Sequence, residues 1–101
     1  MTSDQAAGEK DNSIYVGDKP FMNYVTAIIM QFTTHEQETV VVKARGKYIS
    51  RAVDISEMAE KDFLKEVVEI AAINTDSELV RNREGEEVRV STIQLTLKKT
   101  R

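Results

Sequence analysis

The stretch VVVKARGKYISRAVD, which runs from Val40 to Asp54, decides the fold. It begins with three consecutive valines, a run that is typical of a buried strand. It then becomes basic around Gly46, and beyond that glycine the apolar residues recur at helical spacing: Ile49, Ala52, Val53 and Ile55. The pattern predicts a strand, a tight glycine turn and a helix. Such a turn brings basic side chains to the edge of a sheet beside a helix N-terminus, where backbone N–H groups also favour an anion.

The whole chain is predicted to contain two helices and four strands in the order β-α-β-α-β-β. Pro20 is suited to the first turn of the first helix, and Asp18 is the expected N-cap. The predicted elements are a strand at residues 13–16, a helix at 20–32, a strand at 38–44, a helix at 48–62, and strands at 67–80 and 88–98. This order predicts an α+β two-layer sandwich, with two helices on one face of a four-stranded mixed sheet.

The last two strands are predicted to form a long hairpin arm. The segment between about residues 75 and 90 has little apolar content to hold it against a core. Val88 and Val90 alternate in one phase, whereas the apolar residues from Ile93 onward alternate in the other. We therefore expect a bulge or a strong twist at Ser91 and Thr92.

Three blocks of this sequence resemble the Alba family of small archaeal chromatin and RNA-binding proteins. They are GDKPFMNYV at residues 17–25, KARGKYISRAVD at residues 43–54 and VSTIQLTLKK at residues 90–99. The resemblance covers nearly everything from Ile14 to the C-terminus. It implies the same α+β fold, a homodimer whose two arms project from the body, and a cytoplasmic, chromosome-associated protein that binds double-stranded DNA and RNA.

Composition narrows the classes of function. The chain has 101 residues and no cysteine, so we expect one domain, no disulfides and no thiolate metal site in an intracellular protein. No segment is apolar for long enough to span a membrane. Residues 1–12 are small, polar and acidic and are predicted to be a disordered tail, which leaves residues 13–101 as the domain.

An enzyme is not favoured by these residues. His35 is the one histidine and has no cysteine to pair with, and no carboxylates are paired in an apolar setting. Gly17 and Gly46 are isolated turn glycines that match no phosphate-loop pattern. We therefore predict no catalytic residue, no metal, no cofactor and no small-molecule substrate.

The first group of candidate binding residues surrounds the two predicted strand-to-helix connections. Its members are basic and suited to phosphate: Lys19, Lys43, Arg45, Lys47 and Arg51. Lys19, Arg45 and Lys47 lie beside predicted element ends, and their positions match basic positions of the family. For Lys43 and Arg51, phosphate contact and plain surface charge are equal alternatives.

The second group lies on the arm and consists of Arg81, Arg83 and Arg89. These residues are predicted to follow a minor groove or the backbone of a neighbouring turn, with cross-strand pairing to glutamates as the alternative. Asn23 and Tyr24 begin the first helix and could reach a phosphate or a base. The resemblance implies that Phe63 contributes to contacts between dimers on DNA, and core packing is its alternative.

The sequence departs from the family at Asp18, where the first of two adjacent loop lysines is expected. The chain has fourteen basic and seventeen acidic residues, which give a net charge of −3, whereas nucleic-acid binders are usually basic. We expect weaker and more salt-sensitive binding than in basic relatives. The resulting hypothesis is a sequence-independent DNA-binding chromatin protein that packages DNA as a homodimer and also binds RNA. The alternatives are a mainly RNA-binding protein and a dimeric protein-interaction module with reduced affinity for nucleic acid.

Overall fold

Two helices pack on one face of a four-stranded sheet in the computed structural model, which describes residues 11–101. The elements in chain order are β1 (Ser13–Tyr15), α1 (Phe21–Thr33), β2 (Thr39–Arg45), α2 (Ile49–Met58), β3 (Val68–Arg81) and β4 (Glu87–Lys99). A 3₁₀ turn (Gly46–Tyr48) precedes α2, and a π-helical turn (Ala59–Phe63) continues it. The α+β prediction and the order of its elements are confirmed, and the second helix ends as a regular α-helix earlier than predicted.

The strand order in the sheet is β1-β2-β4-β3. β1 runs parallel to β2, and the other neighbours are antiparallel. Direct pairs such as Val42 with Leu95 point their side chains toward the helices, where they are buried. The centre of the core consists of fully buried apolar residues from both layers: Val25, Ile28, Val40, Val42, Ala52, Ile55, Leu95 and Leu97.

The β3–β4 hairpin extends beyond the rest of the sheet and forms the predicted arm. β2 ends where Arg45 pairs with Thr92, whereas the β3–β4 ladder continues to the pair of Arg81 and Glu87. Asn82 closes the turn, because its side-chain oxygen accepts hydrogen bonds from the backbone N–H groups of Glu84 and Glu86. The arm is therefore a two-stranded ribbon that continues from the four-stranded sheet, a geometry with little packing to restrain it.

Of the two alternatives expected at Ser91 and Thr92, the bulge is wrong, and the strong twist stays a prediction. β4 pairs without interruption there, Ser91 with Ser77 and Thr92 with Asp76. The register instead shifts in β3, between Ile70 and Ala72. The change of apolar phase in β4 has a simpler cause: in the described part of the chain, the arm is largely exposed beyond the end of β2, so its valines need not face the core.

The predicted disordered tail lies outside the described residues except for Asp11 and Asn12. Both of these make hydrogen bonds. Asn12 donates from its side chain to the Thr39 carbonyl at 2.8 Å, and Asp11 accepts from the Ser13 N–H at 3.0 Å. None of the helices described here is long and apolar enough to cross a membrane.

The core contains the hydroxyl group of Ser56, which is buried without a hydrogen-bond partner in the described part of the chain. Ser56 lies in α2 and is fully buried. A buried hydroxyl without a partner costs about 1–3 kcal/mol of stability relative to a satisfied one.

We predict that Ser56→Ala stabilises the protein. Removal of the orphaned hydroxyl should contribute about 1 kcal/mol, which for a domain of this size raises Tm by roughly 4–8 °C. Thermal unfolding followed by circular dichroism at one protein concentration measures it. Ser50→Ala is the matched control, because Ser50 is an exposed serine of the same helix. An equal rise in both variants would mean that helix propensity, and not the buried hydroxyl, is responsible.

Candidate nucleic-acid interface

The two predicted strand-to-helix connections lie side by side. Because β1 and β2 are parallel, their C-terminal ends reach the same edge of the sheet, where Tyr15 pairs with Lys43. The Val16 N–H donates to the Lys43 carbonyl at 2.9 Å and continues this pairing into the connection. We call this edge, with Lys19, Lys43, Arg45, Lys47 and Arg51, the basic edge. The structure thus brings together the residues of the first predicted group.

Gly46 makes the turn at the end of β2 possible. Its φ is +61°, a left-handed conformation that a residue with a side chain adopts only with strain. The turn leaves Arg45 and Lys47 exposed on either side of it. The Lys47 Nζ lies 5.4 Å from the centroid of the Tyr48 ring. Gly46 therefore directs two cations outward at adjacent positions.

Tyr24 holds the connection between β1 and α1. Its side chain is buried, and its hydroxyl accepts hydrogen bonds from the backbone N–H groups of Gly17 at 2.9 Å and Lys19 at 3.1 Å. α1 begins after Pro20 with no side-chain cap, so the prediction of Asp18 as N-cap is wrong. The Tyr24 hydroxyl closes the loop in its place. Of the two candidates at the start of α1, Tyr24 is therefore buried, and Asn23 is the exposed one.

Arg51 ties the two connections together. Its guanidinium donates to the Gly17 carbonyl and lies 5.6 Å from the centroid of the Tyr24 ring. The structure therefore gives Arg51 partners within the protein. Lys19 and Asp18 are both exposed beside it.

Arg45 meets the base of the arm. Its guanidinium donates to the Glu78 carboxylate at 2.6 Å, and the two side chains are 62% and 48% exposed. An ion pair at such exposure contributes about 0–1 kcal/mol, because water and salt screen it. A phosphate could therefore replace Glu78 as the partner of Arg45 at small cost.

The arginines of the second group are spread along the arm and do not join the basic edge. Arg81 donates to the Gly85 carbonyl at 2.6 Å and lies 3.7 Å from the Glu87 carboxylate. Arg89 donates to the Ser77 hydroxyl at 3.1 Å. Arg83 is exposed at the turn. Both interpretations of this group therefore have support: the residues are accessible, and Arg81 is also paired across the strands.

The acidic residues after α2 have structural partners. Glu60 accepts a hydrogen bond from the Ile70 N–H at 3.2 Å and so joins the π-helical turn to β3. The hydrogen bond from Lys61 to Glu57 raises the pKa of Lys61. Phe63 follows these residues and is 50% exposed. Within residues 11–101, no group of three or more His, Asp or Glu side chains is placed to hold a metal ion.

Sequence reasoning missed three residues near the basic edge: Tyr15, Tyr48 and Glu78. Tyr15 is 65% exposed on the sheet face opposite the helices, with the Lys43 Nζ 5.3 Å from its ring centroid. Strand alternation could have revealed it, because Ile14 and Val16 on either side are buried. Nothing in the sequence indicates that Glu78 reaches Arg45, since that contact depends on the register of three strands.

Comparisons with known proteins find one family both by sequence and by structure. A family model described as Alba matches residues 12–77. A protein of Methanococcus maripaludis named "DNA/RNA-binding protein Alba" is 48% identical over 87 residues, which cover 86% of this chain and 97% of that protein. One of Methanocella arvoryzae with the same name is 46% identical over 92 residues, covering 91% and 94%. The solved structure of Alba from Thermoplasma volcanium superposes with a TM-score of 0.78 at 38% identity, covering 85% of this chain and 98% of that one.

We predict that Tyr24→Phe loosens the loop that carries Lys19. The variant keeps the ring but removes the acceptor of two backbone N–H groups, at a cost of about 1 kcal/mol of stability. Amide hydrogen exchange should accelerate at Gly17 and Lys19. Tyr15→Phe is the control, since the Tyr15 ring is exposed and lies outside this loop. Unchanged exchange at both amides in Tyr24→Phe would contradict the role of the hydroxyl.

Proposed function

This chain belongs to the Alba family, and from that premise we propose that it binds double-stranded DNA without sequence preference and packages it as a homodimer, with RNA as a second ligand. Nucleic-acid binding is the function that its relatives' names carry, "DNA/RNA-binding protein". The observation that supports the proposal for this chain is the convergence of Lys19, Arg45 and Lys47, all exposed, on one edge of the sheet.

The chemistry of this edge suits phosphates and not base sequence. An arginine can bind a phosphate with two N–H groups, and a lysine acts as a point charge. Contacts of this kind determine affinity and position but carry no sequence information. We therefore assign phosphate contact to Lys19, Arg45 and Lys47, and assign Tyr24 and Arg51 to positioning the loop. Lys43 and Asn23 remain predicted contacts at the same edge.

The arm supplies a second contact region in this proposal. Arg81, Arg83 and Arg89 are exposed along a ribbon that projects beyond β2. A ribbon of this width can follow a groove of the duplex while the basic edge binds the neighbouring backbone. In a homodimer the two edges and two arms double every cationic group, which offsets the net charge of −3 per chain.

The edge strand β3 supports the homodimer. β3 is the last strand of the sheet, so one side of its backbone lacks a neighbouring strand. Ile73 and Leu79 lie on one face of β3 and are 60% and 59% exposed. Long edge strands with exposed apolar side chains invite association, and burial against a second copy would cover them. Packaging of DNA would place the protein on the chromosome in the cytoplasm.

We predict that the Arg45→Ala, Lys47→Ala double variant lowers the affinity for duplex DNA and also reduces how steeply that affinity falls with salt. Each lost phosphate contact should reduce the slope of log affinity against log salt by about 0.9, so a homodimer that loses four contacts should lose roughly four units of slope. Fluorescence anisotropy with a labelled duplex over a salt series measures both quantities.

The matched control removes the same charge at the opposite end of the sheet. Lys98→Ala, Arg101→Ala should leave the slope close to wild type, because Lys98 pairs with Thr39 at the start of β2. An equal loss in both double variants would argue that net charge, and not the basic edge, governs binding. Absence of wild-type binding at low salt would contradict the DNA-binding proposal and favour the protein-interaction module.

We predict that the wild-type protein sediments with twice the chain mass of 11.4 kDa and that Ile73→Glu shifts it to the mass of one chain. A buried carboxylate without a partner opposes association. Analytical ultracentrifugation measures the mass. Met30→Glu is the control, because Met30 is 45% exposed on α1, away from β3. A dimer that survives Ile73→Glu would mean that the interface lies elsewhere.

A further inference from the structure

A cleft lies where the open face of the sheet meets the Gly46–Tyr48 turn. It has a volume of about 630 Å³, within the range of sites that hold a small ligand. Its wall combines two aromatic rings, Tyr15 and Tyr48, with the cations of Lys43, Arg45 and Lys47. Tyr48 packs against the core, whereas Tyr15 does not. A duplex bound through phosphates needs no aromatic surface, so the exposed ring of Tyr15 is not explained by the contacts proposed above.

Tyr15 presents its ring to solvent. Its neighbours in β1, Ile14 and Val16, point into the core, and alternation therefore turns Tyr15 to the open face, where it is 65% exposed. Tyr15 is not among the residues that form the core or pack against it. The Lys43 ammonium lies 5.3 Å from its centroid, which shows that the ring carries an accessible π-face.

The surroundings of the ring match the rest of a nucleotide. Lys43, Arg45 and Lys47 line the same cleft and are cations that pair with phosphate. The Glu78 carboxylate lines it too and pairs with Arg45, so a phosphate on Arg45 would displace it. Thr92 and Gln94 of β4 line it as well, and they offer hydroxyl and amide groups for the polar edge of a base. A flat π-face, polar side chains and flanking cations are the three groups that single-strand binders use.

We propose that this cleft binds an unpaired nucleotide of a single-stranded nucleic acid, with its base stacked on Tyr15 and its phosphates held by Lys43, Arg45 and Lys47. The base must be unpaired, because both faces of a base within a duplex are already stacked. On stacking, the base takes the place of Lys43 over the ring and frees that ammonium for a phosphate. This inference rests on the proposed function, since Arg45 and Lys47 also belong to the edge that binds duplex.

The test compares Tyr15→Leu with Tyr15→Phe on single-stranded and duplex probes. Labelled oligo(U) RNA, oligo(dT) DNA and a duplex DNA are titrated at one low salt concentration, and the Tm of each variant is recorded. Tyr15→Leu keeps the apolar bulk but removes the π-face, so it should weaken single-strand binding about 5- to 100-fold. Tyr15→Phe restores the ring and should restore that affinity. Duplex affinity should change less than about twofold in both, because phosphate contacts govern it.

Tyrosine fluorescence tests directly whether a base stacks on the Tyr15 ring. The chain has three tyrosines and no tryptophan, so its intrinsic fluorescence comes from tyrosine alone. Stacking of a base quenches that emission, and oligo(U) should quench the wild type more than it quenches Tyr15→Phe. If Tyr15→Leu weakens the binding of oligo(U) and oligo(dT) equally, the site exists and does not distinguish ribose from deoxyribose. If it weakens the binding of one of them, the site exists and that oligonucleotide represents its ligand.

Three outcomes overturn the proposal. They are unchanged single-strand affinity in Tyr15→Leu, an equal loss for single strand and duplex, and no binding of the wild type to either single strand. Failure of the proposed function gives a different result, because the wild type would then not bind the duplex at low salt, whatever residue stands at position 15.

Discussion

The parallel pairing of β1 with β2 is the constraint on which the candidate interface depends. β1 has only three residues, yet its register places Tyr15 beside Lys43 and so ends both strands at one edge. An antiparallel β1 would send its connection to the other end of the sheet, away from the Gly46 turn. Burial of Ile14 against the helices fixes which face of β1 points inward. A short strand therefore determines where Lys19 lies relative to Arg45 and Lys47.

Local patterns were sufficient to predict the fold, the arm and the basic edge. The valine run, the apolar stripe of α1 and Gly46 each act over a few residues, so their structural consequences can be deduced from the sequence. The Tyr24 hydroxyl, the Arg51 contact with Gly17 and the Glu78 partner of Arg45 could not, because each joins residues brought together by packing or register. The bulge predicted at Ser91 and Thr92 was wrong for a related reason. A change of apolar phase indicates a bulge only where the strand segments before and after it both pack on a core.

The partners of the carboxylates show which acidic residues lie near the proposed contact regions and which do not. Glu60 joins the π-helical turn to β3, and Glu57 pairs with Lys61 on the same helical segment. Glu78 and Glu87, in contrast, pair with arginines of the proposed contact regions. The first two carboxylates have partners outside the proposed contact regions, while the second two would compete with a bound phosphate for the same guanidinium groups. Because those pairs are exposed, the competition is weak in energy and reversible.

Competition of this kind links the basic edge to the cleft. Arg45 contacts Glu78, lines the cleft and belongs to the edge proposed for duplex. A single guanidinium cannot satisfy a duplex backbone, a single-strand phosphate and a carboxylate at once, since its five N–H donors lie in one plane. On the proposed function, each chain would therefore exchange one partner of Arg45 for another when its ligand changes. In the proposed homodimer the two copies of Arg45 need not hold the same partner, so one dimer would have the means to hold a duplex at one edge and an unpaired segment at the other.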